Sequence, residues 1–491
     1  MFILRISTTI ILEMRAVTSW FCSKIAGMKE KGIASIMQEG RQIGLGEKIG
    51  IVARLSMPGI LAQISEIVMQ YIDAAMVGSL GAAASASIGL VSSSTWLFGG
   101  LLRACASGFA VQVAHAVGAS DQSKARNVFR QSLIVSLLLS VILALAGSLL
   151  SLGLPQMLGA QKEIWHDARM YFLVFALFIP ARQINMLCLS MLQCTGDMKT
   201  PSVCATLMCF LDVVFNFFLI FPSGTASLAG IPVPGAGLGV LGAQLGTSLS
   251  VLACMGIVLY RCLRVSPILR IERFFAGMDA GINAEAWRIG WPIAMESTAS
   301  CLAQVAATRI VAPLGTVAIA ANSFAVTAES LCYMPGFGIA SASTTLVGQA
   351  IGARRKDLAR SFAWLTTFAA MMVMSLGGVL MYFGCPYVFM FLTPDKAVRA
   401  LGVQVLRIEL FAEPLFAASI AANGALRGAG DTFVPGIMNL VSMWGVRITL
   451  SFFLAASMGL KGVWIAMTVE LCFRGLLFLL RLKRGKWLEE K

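Results

Sequence analysis

The sequence predicts an all-α polytopic membrane protein, with twelve transmembrane helices in two six-helix lobes related by pseudo-two-fold symmetry along the membrane normal. Of its 491 residues, 58% are hydrophobic and 13% are charged, and the mean hydropathy is +0.81. Soluble domains carry about 25% charged residues. Apolar runs of about 20 residues or more recur along the chain, and such runs fit helices rather than the strands of a membrane barrel. The third observation is that the second half of the chain repeats the first.

Twelve apolar runs define the predicted spans, and each is long enough to cross a hydrocarbon core of about 30 Å as a helix. In chain order they are 49–79, 84–113, 126–150, 167–193, 199–222, 238–262, 285–312, 318–346, 360–384, 399–425, 434–457 and 462–482.

These spans divide the chain into five regions. We predict an N-terminal cytoplasmic extension at 1–48, an N-terminal lobe at 49–262, a cytoplasmic inter-lobe linker at 263–284, a C-terminal lobe at 285–482 and a cytoplasmic tail at 483–491. Basic residues interrupt the short apolar pieces of the extension, which argues against a signal peptide. Met28 and Met37 are alternative start residues.

The net charge of +14 raises the possibility of nucleic-acid binding, but the distribution of basic residues favours membrane topology instead. Positively charged residues concentrate in loops on the cytoplasmic side of membrane proteins. Those predicted inside are Lys124, Arg126, Arg130, Lys199, Arg261, Arg264, Arg270, Arg273, Arg288, Arg354, Arg355, Lys356, Arg360, Arg427, Arg481, Lys483, Arg484, Lys486 and Lys491. The outer loops keep Lys162, Arg169, Lys396, Arg399 and Lys461. We therefore predict a plasma (inner) membrane protein with both termini in the cytoplasm, in contact with the lipid bilayer and with no nucleic acid.

An internal repeat relates the two halves of the chain. The segment from Arg54 to Pro58 aligns with the segment from Arg288 to Pro292, an offset of 292 − 58 = 234. The same offset maps Pro180 onto Pro414, and it maps further Gly-containing motifs of the two halves onto each other. Since each half has an even number of spans, both halves enter the membrane from the same side, as in alternating-access transporters.

Cysteine and histidine usage argues against a metal centre or an enzyme. The twelve cysteines are scattered without a CxxC spacing, and His115 and His166 are the two histidines. A disulfide framework, a metal site or an intramembrane catalytic cluster would need closer groupings. No GxxxxGK[ST] phosphate-binding loop occurs. We predict that the protein is not an enzyme and has no cofactor.

Polar residues form a stripe along the first span. Gln63, Glu66, Gln70 and Asp73 are spaced three, four and three residues apart, so they share one face of a helix. A carboxylate at bilayer depth costs about 2.5–3.5 kcal/mol. This face is therefore predicted to line a wet or protein-filled interior, although the acids could also serve only to hold neighbouring helices together. Pro58 can bend this span, because its ring removes a backbone hydrogen bond.

Several motifs resemble those of the MATE (multidrug and toxic compound extrusion) transporters. They include Gly196-Asp197 with Pro201, and Arg427-Gly-Ala-Gly-Asp431 with Pro435. The segments 347–353 and 73–78 are also similar to the family. The resemblance covers about residues 49–482. It implies a monomeric antiporter that exports small organic molecules, cationic and amphiphilic, in exchange for protons or sodium ions by alternating access.

The resemblance implies a cation-coupling site in the N-terminal lobe. Asp73 matches the first-helix aspartate that the family uses for coupling. The fifth span carries Asp212 and Asn216, whereas the family usually has the asparagine first and the aspartate four residues later. Residues i and i+4 share a helix face, so a carboxyl group still reaches the interior. Thr247 matches a polar position of the sixth helix. We predict Asp73, Glu66, Asp212 and Asn216 as cation-coupling, and Gln63, Gln70 and Thr247 as substrate-binding.

A second set of polar residues lies in the C-terminal lobe. Glu296, Ser300 and Gln304 share one face of the seventh span, and Asn322 and Glu329 share one face of the eighth. Sodium-coupled relatives pair a glutamate of helix seven with an aspartate of helix ten, but Phe416 occupies the latter position. The predicted coupling residues here are Glu296, Glu329 and Glu413; those predicted to bind substrate are Ser300, Gln304 and Asn322. Pro58 and Pro292 are the predicted hinges. No metal is expected apart from a possible sodium ion, and the aspartate pattern favours protons.

Arginines within the spans leave an alternative open. Arg103, Arg182, Arg407 and Arg447 could simply neutralise the buried acids. Glu470 and Arg474, at positions i and i+4, are predicted to form an internal pair. A cavity dominated by Arg103, Arg182 and Arg447 would instead favour a flippase for a lipid-linked precursor, because such a substrate carries a pyrophosphate.

Overall fold

A computed structural model describes residues 43–159, 161–223, 227–228, 231–232, 235–271 and 277–489. Residues 1–42 of the predicted extension, including both alternative start methionines, lie outside the described residues. So do residues 272–276 of the predicted linker and the last two residues of the tail.

The described residues form twelve long helical segments, α1 to α12. The first half contains α1 (Leu45–Gly78), α2 (Ala82–Gly118), α3 (Gln122–Ser151), α4 (Trp165–Leu177 and Ile179–Thr195), α5 (Lys199–Ile220) and α6 (Gly239–Tyr260). The second half contains α7 (Ala280–Val311), α8 (Thr316–Gly352), α9 (Lys356–Leu392), α10 (Lys396–Glu409 and Glu413–Gly428), α11 (Phe433–Leu440 and Thr449–Met458) and α12 (Leu460–Arg484).

Shorter elements connect or extend these helices. They are a short helix (Leu154–Met157), four 3-10 turns (Lys162–Ile164, Ala312–Leu314, Leu410–Ala412 and Lys486–Leu488) and two π-helical stretches (Arg261–Val265 and Val441–Ile448). Between α5 and α6, strands β1 (Ser227–Leu228) and β2 (Ile231–Pro232) pair antiparallel, with Ser227 opposite Pro232 and Leu228 opposite Ile231.

The apolar character of the helices confirms the predicted fold class. Within the described ranges, nine helices are long and apolar enough to cross a membrane, and the two parts of α4 together make a tenth span. The other two segments are α7, which spans 32 residues but carries more polar side chains, and α10, which is broken. The helical architecture is therefore that of a polytopic membrane protein, and the twelve-helix layout in two lobes is consistent with it.

Helix breaks occur at equivalent places in the two halves. The two parts of α4 meet at Phe178 with a bend of 50°, directly before Pro180. The two parts of α10 meet at the turn Leu410–Ala412, directly before Pro414. These two prolines are the pair that the repeat aligned. Each lacks the backbone N–H group that would donate a hydrogen bond to the preceding helix. The predicted spans 167–193 and 399–425 therefore each contain a helix break.

Acidic caps help to set where several helices begin. Asp121 accepts a hydrogen bond from the Lys124 amide at 2.8 Å, and Asp279 accepts one from the Gly281 amide at 2.8 Å. Asp395 caps the start of α10 in the same way. A side-chain oxygen at this position satisfies an amide that has no partner within the helix.

Both ends of the described chain lie on one face of the molecule, which we call the terminal face. Lys48 at the start of α1 donates to Ser361 Oγ of α9 at 2.9 Å, and Arg360 donates to the Lys483 carbonyl of α12 at 3.4 Å. Several helices extend further toward this face than the apolar runs indicated. Arg427, which was predicted in a loop, therefore lies on α10.

The helices associate as two lobes, and two helix pairs related by the internal repeat connect the lobes. Within the first half, α5 packs on α1 and α6, and α2 packs on α4; within the second half, α8 packs on α9 and α10. Between the halves, α1 packs on α8 and α7 packs on α2. The internal repeat converts one of these pairs into the other. At the α1–α8 crossing, a Cβ atom added to Gly59 would lie 2.7 Å from the Gly338 carbonyl oxygen, so the two backbones are in direct contact.

Each half has its own apolar core, and the outward surface is also apolar. Phe129 and Leu187 are fully buried in the first half, and Phe389 and Trp464 are buried in the second. Large side chains of α3 and α9 point outward, such as Leu149, which is 71% exposed. Apolar residues exposed on this scale suit contact with lipid.

Candidate functional site

Three side chains from α1 and α5 meet inside the first lobe. Asn216 Nδ2 donates to Asp73 Oδ1 at 2.7 Å and to Asp212 Oδ2 at 3.0 Å. Asp212 and Asn216 are fully buried, whereas Asp73 remains partly accessible. A single amide group therefore links two carboxyl groups, one at the edge of the lobe and one in its interior. We call these three residues the N-lobe cluster.

Helix α6 packs against this cluster through a small residue. A Cβ atom on Gly246 would overlap Asn216 Oδ1, so a side chain at this position would displace the asparagine. The side chains of Thr247 and Ser250 lie beside the Asp212 carboxyl group. Thr247, which was predicted to bind substrate, thus faces the N-lobe cluster, and its hydroxyl group also donates to the Ala243 carbonyl at 3.1 Å.

Two polar atoms of the N-lobe cluster have no hydrogen-bond partner among the described residues, namely Asp212 Oδ1 and Asn216 Oδ1. Buried polar atoms are normally hydrogen-bonded, so these two oxygens are exceptional. A proton or a small cation would satisfy these oxygens. No group of three or more His, Cys, Asp and Glu side chains is placed to hold a metal ion in the described ranges.

A second carboxyl cluster lies inside the other lobe. Glu409 and Glu413 are fully buried on either side of the break in α10, and Glu329 of α8 is 6% exposed. None of the four carboxyl oxygens of Glu409 and Glu413 has a hydrogen-bond partner among the described residues. Glu329 and Glu413 lie within electrostatic range of Glu409, as does Arg447. We call these three glutamates the C-lobe cluster.

Glu409 was absent from the predicted site residues, although it lies four residues before Glu413. That spacing was the available signal, because residues four apart share a face of a continuous helix. Gly378 of α9 leaves room for Glu413, since an added Cβ atom would lie 3.3 Å from its Cγ atom.

A buried ion pair lies near the C-lobe cluster. Arg474 Nε lies 3.2 Å from Glu470 Oε1, and Ser442 Oγ donates to the same oxygen at 2.5 Å. The predicted internal pair of Glu470 and Arg474 is therefore confirmed. Arg474 also lies within electrostatic range of Glu329.

Four charged side chains lie on helices through which the two lobes contact each other, and we call the region around them the inter-lobe cleft. They are Glu66 of α1, Arg103 of α2, Glu296 of α7 and Arg427 of α10. Arg103 lies within electrostatic range of Glu66, and Arg427 lies within range of both Glu296 and Arg103. Glu66 and Arg103 are exposed.

Two asparagines orient Glu296. Asn439 Nδ2 donates to Glu296 Oε1 at 2.6 Å, and Asn423 Nδ2 lies 3.4 Å from the same oxygen. Neither asparagine was among the predicted site residues. Glu66 and Glu296, both predicted to couple cations, are thus separate from the carboxyl clusters inside the lobes.

The predicted substrate-binding residues fall into two groups. Gln70 is exposed and Gln63 is half-buried on α1. Ser300 Oγ instead lies 3.3 Å from Met443 Sδ, and Asn322 Oδ1 accepts a hydrogen bond from Trp464 Nε1 at 3.0 Å. Gln304 and Asn322 line a cavity of about 20 Å³ in the second lobe. This cavity has room for about one water molecule, and the role of both residues in substrate binding stays a prediction.

The predicted hinges lie within continuous helices. Pro58 is inside α1 and Pro292 is inside α7. Each lies next to the crossing of its helix with the other lobe, since Gly59 contacts Gly338 and Gly290 contacts Ala104. A bend at either proline would therefore alter an inter-lobe contact.

The two lobes are packed together at the terminal face. The Nε2 atom of His115 on α2 lies 2.8 Å from the Gly428 carbonyl oxygen. The Nε2 atom of Gln349 on α8 donates to the Cys194 carbonyl at 2.9 Å. Cβ atoms on Gly118 and Gly352 would overlap the backbone of the opposite helix. The inter-lobe cleft is thus closed at this face.

Apolar outer surfaces, two lobes with buried carboxyl groups and a charged cleft between them define a membrane transporter. The MatE family model matches residues 58–218 and 292–453, two stretches that begin at the aligned prolines. The chain therefore belongs to the MatE family, whose members are transporters and not enzymes.

Individual relatives agree with this assignment over nearly the full length. The chain is 27% identical over 446 residues to the probable multidrug resistance protein NorM of Thermotoga maritima, covering 88% of this chain and 92% of that protein. It is similar in fold to a MOP superfamily transporter from Pyrococcus furiosus, with a TM-score of 0.85 at 20% identity over 94% of this chain and 100% of that one. A multidrug resistance MATE transporter in an outward-facing conformation gives a TM-score of 0.84 at the same identity and coverage.

Proposed function

We propose that this chain is a secondary active antiporter that exports positively charged, amphiphilic organic compounds in exchange for protons or sodium ions by alternating access. The observation that carries this proposal is the N-lobe cluster, in which two carboxyl groups share one amide donor. Membership of the MatE family and the multidrug resistance names of its relatives support it. We further propose that the protein acts as a monomer and needs no cofactor.

The N-lobe cluster is suited to binding one small cation. Asp73 and Asp212 repel each other when both are ionised, and a proton or a sodium ion between them would relieve that repulsion. Because Asp73 is partly accessible and Asp212 is fully buried, the ion would enter through Asp73. The C-lobe cluster offers a second site of the same chemistry.

The available energy is sufficient for concentrative export. One positive charge that moves inward gains about 2.3 kcal/mol per 100 mV, and a proton gains about 1.4 kcal/mol per pH unit. Two protons would support a concentration ratio on the order of 10³ for a cationic substrate. One or both clusters would thus bind the ions whose gradient drives export.

The closed terminal face supports an outward-facing state. Many basic residues lie at this face, including Arg264, Arg355, Lys356 and Lys483, and such residues favour the cytoplasmic side. We place both ends of the described chain in the cytoplasm and the protein in the plasma membrane. Bending at Pro58 and Pro292 would then couple ion occupancy to movement of the lobes.

Substitution of Asp73 tests the coupling role. We expect Asp73→Asn to reduce gradient-driven uptake of a cationic dye into everted vesicles by about tenfold or more, because one of the two carboxyl groups is lost. Asp121→Asn is the matched control, since an asparagine retains the helix cap of α3 and the site is exposed. Transport by Asp73→Asn equal to that of the parent would overturn the coupling role.

The flippase alternative has less support. It required a cavity dominated by Arg103, Arg182 and Arg447. Arg182 instead lies 5.0 Å from the Phe175 ring centroid inside the first lobe, and Arg447 Nη2 lies 2.8 Å from Met467 Sδ inside the second. Arg103 is the member of this set that faces the cleft.

A further inference from the structure

Two side-chain contacts across the closed terminal face are related by the internal repeat. His115 Nε2 of α2 lies 2.8 Å from the Gly428 carbonyl oxygen of α10. Gln349 Nε2 of α8 donates to the Cys194 carbonyl of α4 at 2.9 Å. The side chains are separated by 349 − 115 = 234 residues and the carbonyl groups by 428 − 194 = 234, which is the offset of the repeat. We call these contacts the His115 latch and the Gln349 latch, since each joins one lobe to the other.

The helix ends behind the two latches are in direct contact. A Cβ atom on Gly118 would overlap the Gln349 carbonyl oxygen, and one on Gly352 would overlap the His115 carbonyl oxygen. The ends of α2 and α8 therefore cross with no side chain between these backbone atoms. Separation of the lobes at this face would have to break both latches.

Both latches lie between the C-terminal ends of two helices. His115 is in the last turn of α2, and Gly428 is the last residue of α10. Gln349 and Cys194 lie in the last turns of α8 and α4. The C-terminal end of a helix carries a partial negative charge, and its last carbonyl groups have no partner within the helix. A positive charge on a latch side chain is therefore stabilised while the face is closed.

The two latches differ in their response to pH. A glutamine amide does not titrate, whereas a histidine side chain ordinarily changes its charge between about pH 5 and pH 8. A carbonyl oxygen can only accept, so Nε2 of His115 carries a proton in the closed state. The imidazolium ion always has that proton and donates it in a charge-assisted hydrogen bond, but the neutral ring can place its one proton on Nδ1 instead. Protonation should therefore strengthen the His115 latch and leave the Gln349 latch unchanged.

Many charged groups around the His115 latch have ion-pair partners of their own. Helices α3, α4, α7, α8 and α10 pack on α2. At the terminal ends of these helices the ion pairs are Asp431 with Arg481, Asp197 with Arg261, Glu285 with Arg288, and Arg355 with Asp357.

Other charged residues near this face do not reverse the effect of the helix ends. Arg427 precedes the carbonyl group of the His115 latch in sequence, but it lies within electrostatic range of Glu296 and Arg103 in the inter-lobe cleft. The rest are exposed to water and salt, which screen their charges; they are Asp121, Lys124 and Arg354.

We propose that His115 is a pH-sensitive latch, which acidification on the side of the terminal face protonates and tightens. Because the closed state favours the imidazolium ion, the added stability is present at acid pH and is lost as the pH rises through the histidine range. A rise in pH therefore favours separation of the lobes at this face. The device concerns movement of the lobes and is independent of the substrate and of the coupling ion.

Modification of Cys194 by N-ethylmaleimide reports opening of this face. Cys194 is 4% exposed, and its carbonyl group belongs to the Gln349 latch, so its thiol becomes accessible when the lobes separate. Peptide mass spectrometry measures the rate of modification in the full-length protein in lipid nanodiscs, from about pH 5.5 to about pH 7.5. No substrate and no ion gradient are present, so failure of the proposed export function would not affect the result.

The variants are His115→Gln, which makes the two latches alike, and His166→Gln as the matched control. The sequence has two histidines, and His166 is exposed on α4. The rate in the parent is divided by the rate in His115→Gln at the same pH, which removes the pH dependence of the thiol itself. We expect this ratio to fall by about fivefold from the alkaline to the acid end of the range, as a charge at a helix end would produce. His166→Gln should follow the parent, and a ratio that is constant or that rises on acidification would overturn the proposal.

A permanently charged variant provides a second reference if His115→Gln does not fold. His115→Lys keeps its positive charge throughout this pH range. The rate in the parent divided by the rate in His115→Lys should rise by about fivefold toward the alkaline end. A constant ratio would show that the charge of His115 does not hold the face closed, and the proposal would be wrong.

Discussion

Asn216 is the residue that joins the two carboxyl groups of the N-lobe cluster. Its one amide nitrogen contacts Asp73 on α1 and Asp212 on its own helix. The order of aspartate and asparagine on α5 is exchanged relative to the usual family pattern. Because these residues are one helical turn apart, the exchange still leaves a carboxyl group beside Asp73. The i, i+4 spacing was enough to predict that these side chains share a face.

Gly246 provides a test of this geometry that leaves every charged residue in place. We expect Gly246→Ala to abolish gradient-driven transport, because the added Cβ atom would overlap Asn216 Oδ1 and separate the amide from the carboxyl groups. Uptake by purified protein in proteoliposomes measures the effect. Gly256→Ala, on the same helix, is the control, since no atom lies within 4 Å of its added Cβ. Equal transport by the two variants would contradict the proposed role of Asn216.

At the scale of the elements, an ion pair in each lobe connects the loop after its fourth helical segment to the end of its sixth. Asp431 after α10 contacts Arg481 of α12 at 2.9 Å, and Asp197 after α4 contacts Arg261 after α6 at 3.8 Å. The aspartates are related by 431 − 197 = 234, which is the offset of the repeat up to the fifth span. The arginines are related by 481 − 261 = 220, the offset that aligns the segment 241–243 with the segment 461–463 after the longer loop 222–238 of the first half. The second pair is thus the repeat-related counterpart of the first. Their environments differ, because Asp431 is 5% exposed and Asp197 is 30% exposed.

This difference predicts unequal effects of the same substitution. Removing one partner of a buried pair costs about 3–5 kcal/mol, whereas an exposed pair contributes about 0–1 kcal/mol. We expect Asp431→Asn to lower the thermal midpoint of the detergent-solubilised protein clearly more than Asp197→Asn. Each variant is the control for the other, since an asparagine can keep the local turn. A larger effect of Asp197→Asn would show that burial does not determine the strength of these pairs.

At the scale of the whole molecule, the sequence was sufficient for the fold class but not for every helix. Long apolar runs located the helices, and the repeat aligned Pro180 with Pro414. The same runs did not reveal the breaks at Phe178 and at Leu410–Ala412, because a broken span is as apolar as a continuous one. The helices also extend beyond the apolar runs at the terminal face, and this placed Arg427 on α10 instead of in a loop.

The candidate site was harder to predict from the sequence than the fold was. Periodicity identifies residues on one helix face, but it does not tell whether that face points into a lobe or into the cleft. Gln304 and Asn322 were therefore expected near substrate, although they line a small cavity inside the second lobe. Asn423 and Asn439 had no pattern that connected them to Glu296, because the three residues come from three different helices.

The central claim is that movement of an organic substrate in one direction is obligatorily coupled to movement of a small cation in the other. The most direct test uses proteoliposomes loaded with a transported dye and no initial ion gradient. Internal pH and internal sodium are recorded while the dye leaves. We predict that dye efflux through the parent drives proton or sodium entry and that this ion movement is absent with Asp73→Asn. Dye efflux through the parent with no movement of either ion would contradict the claim.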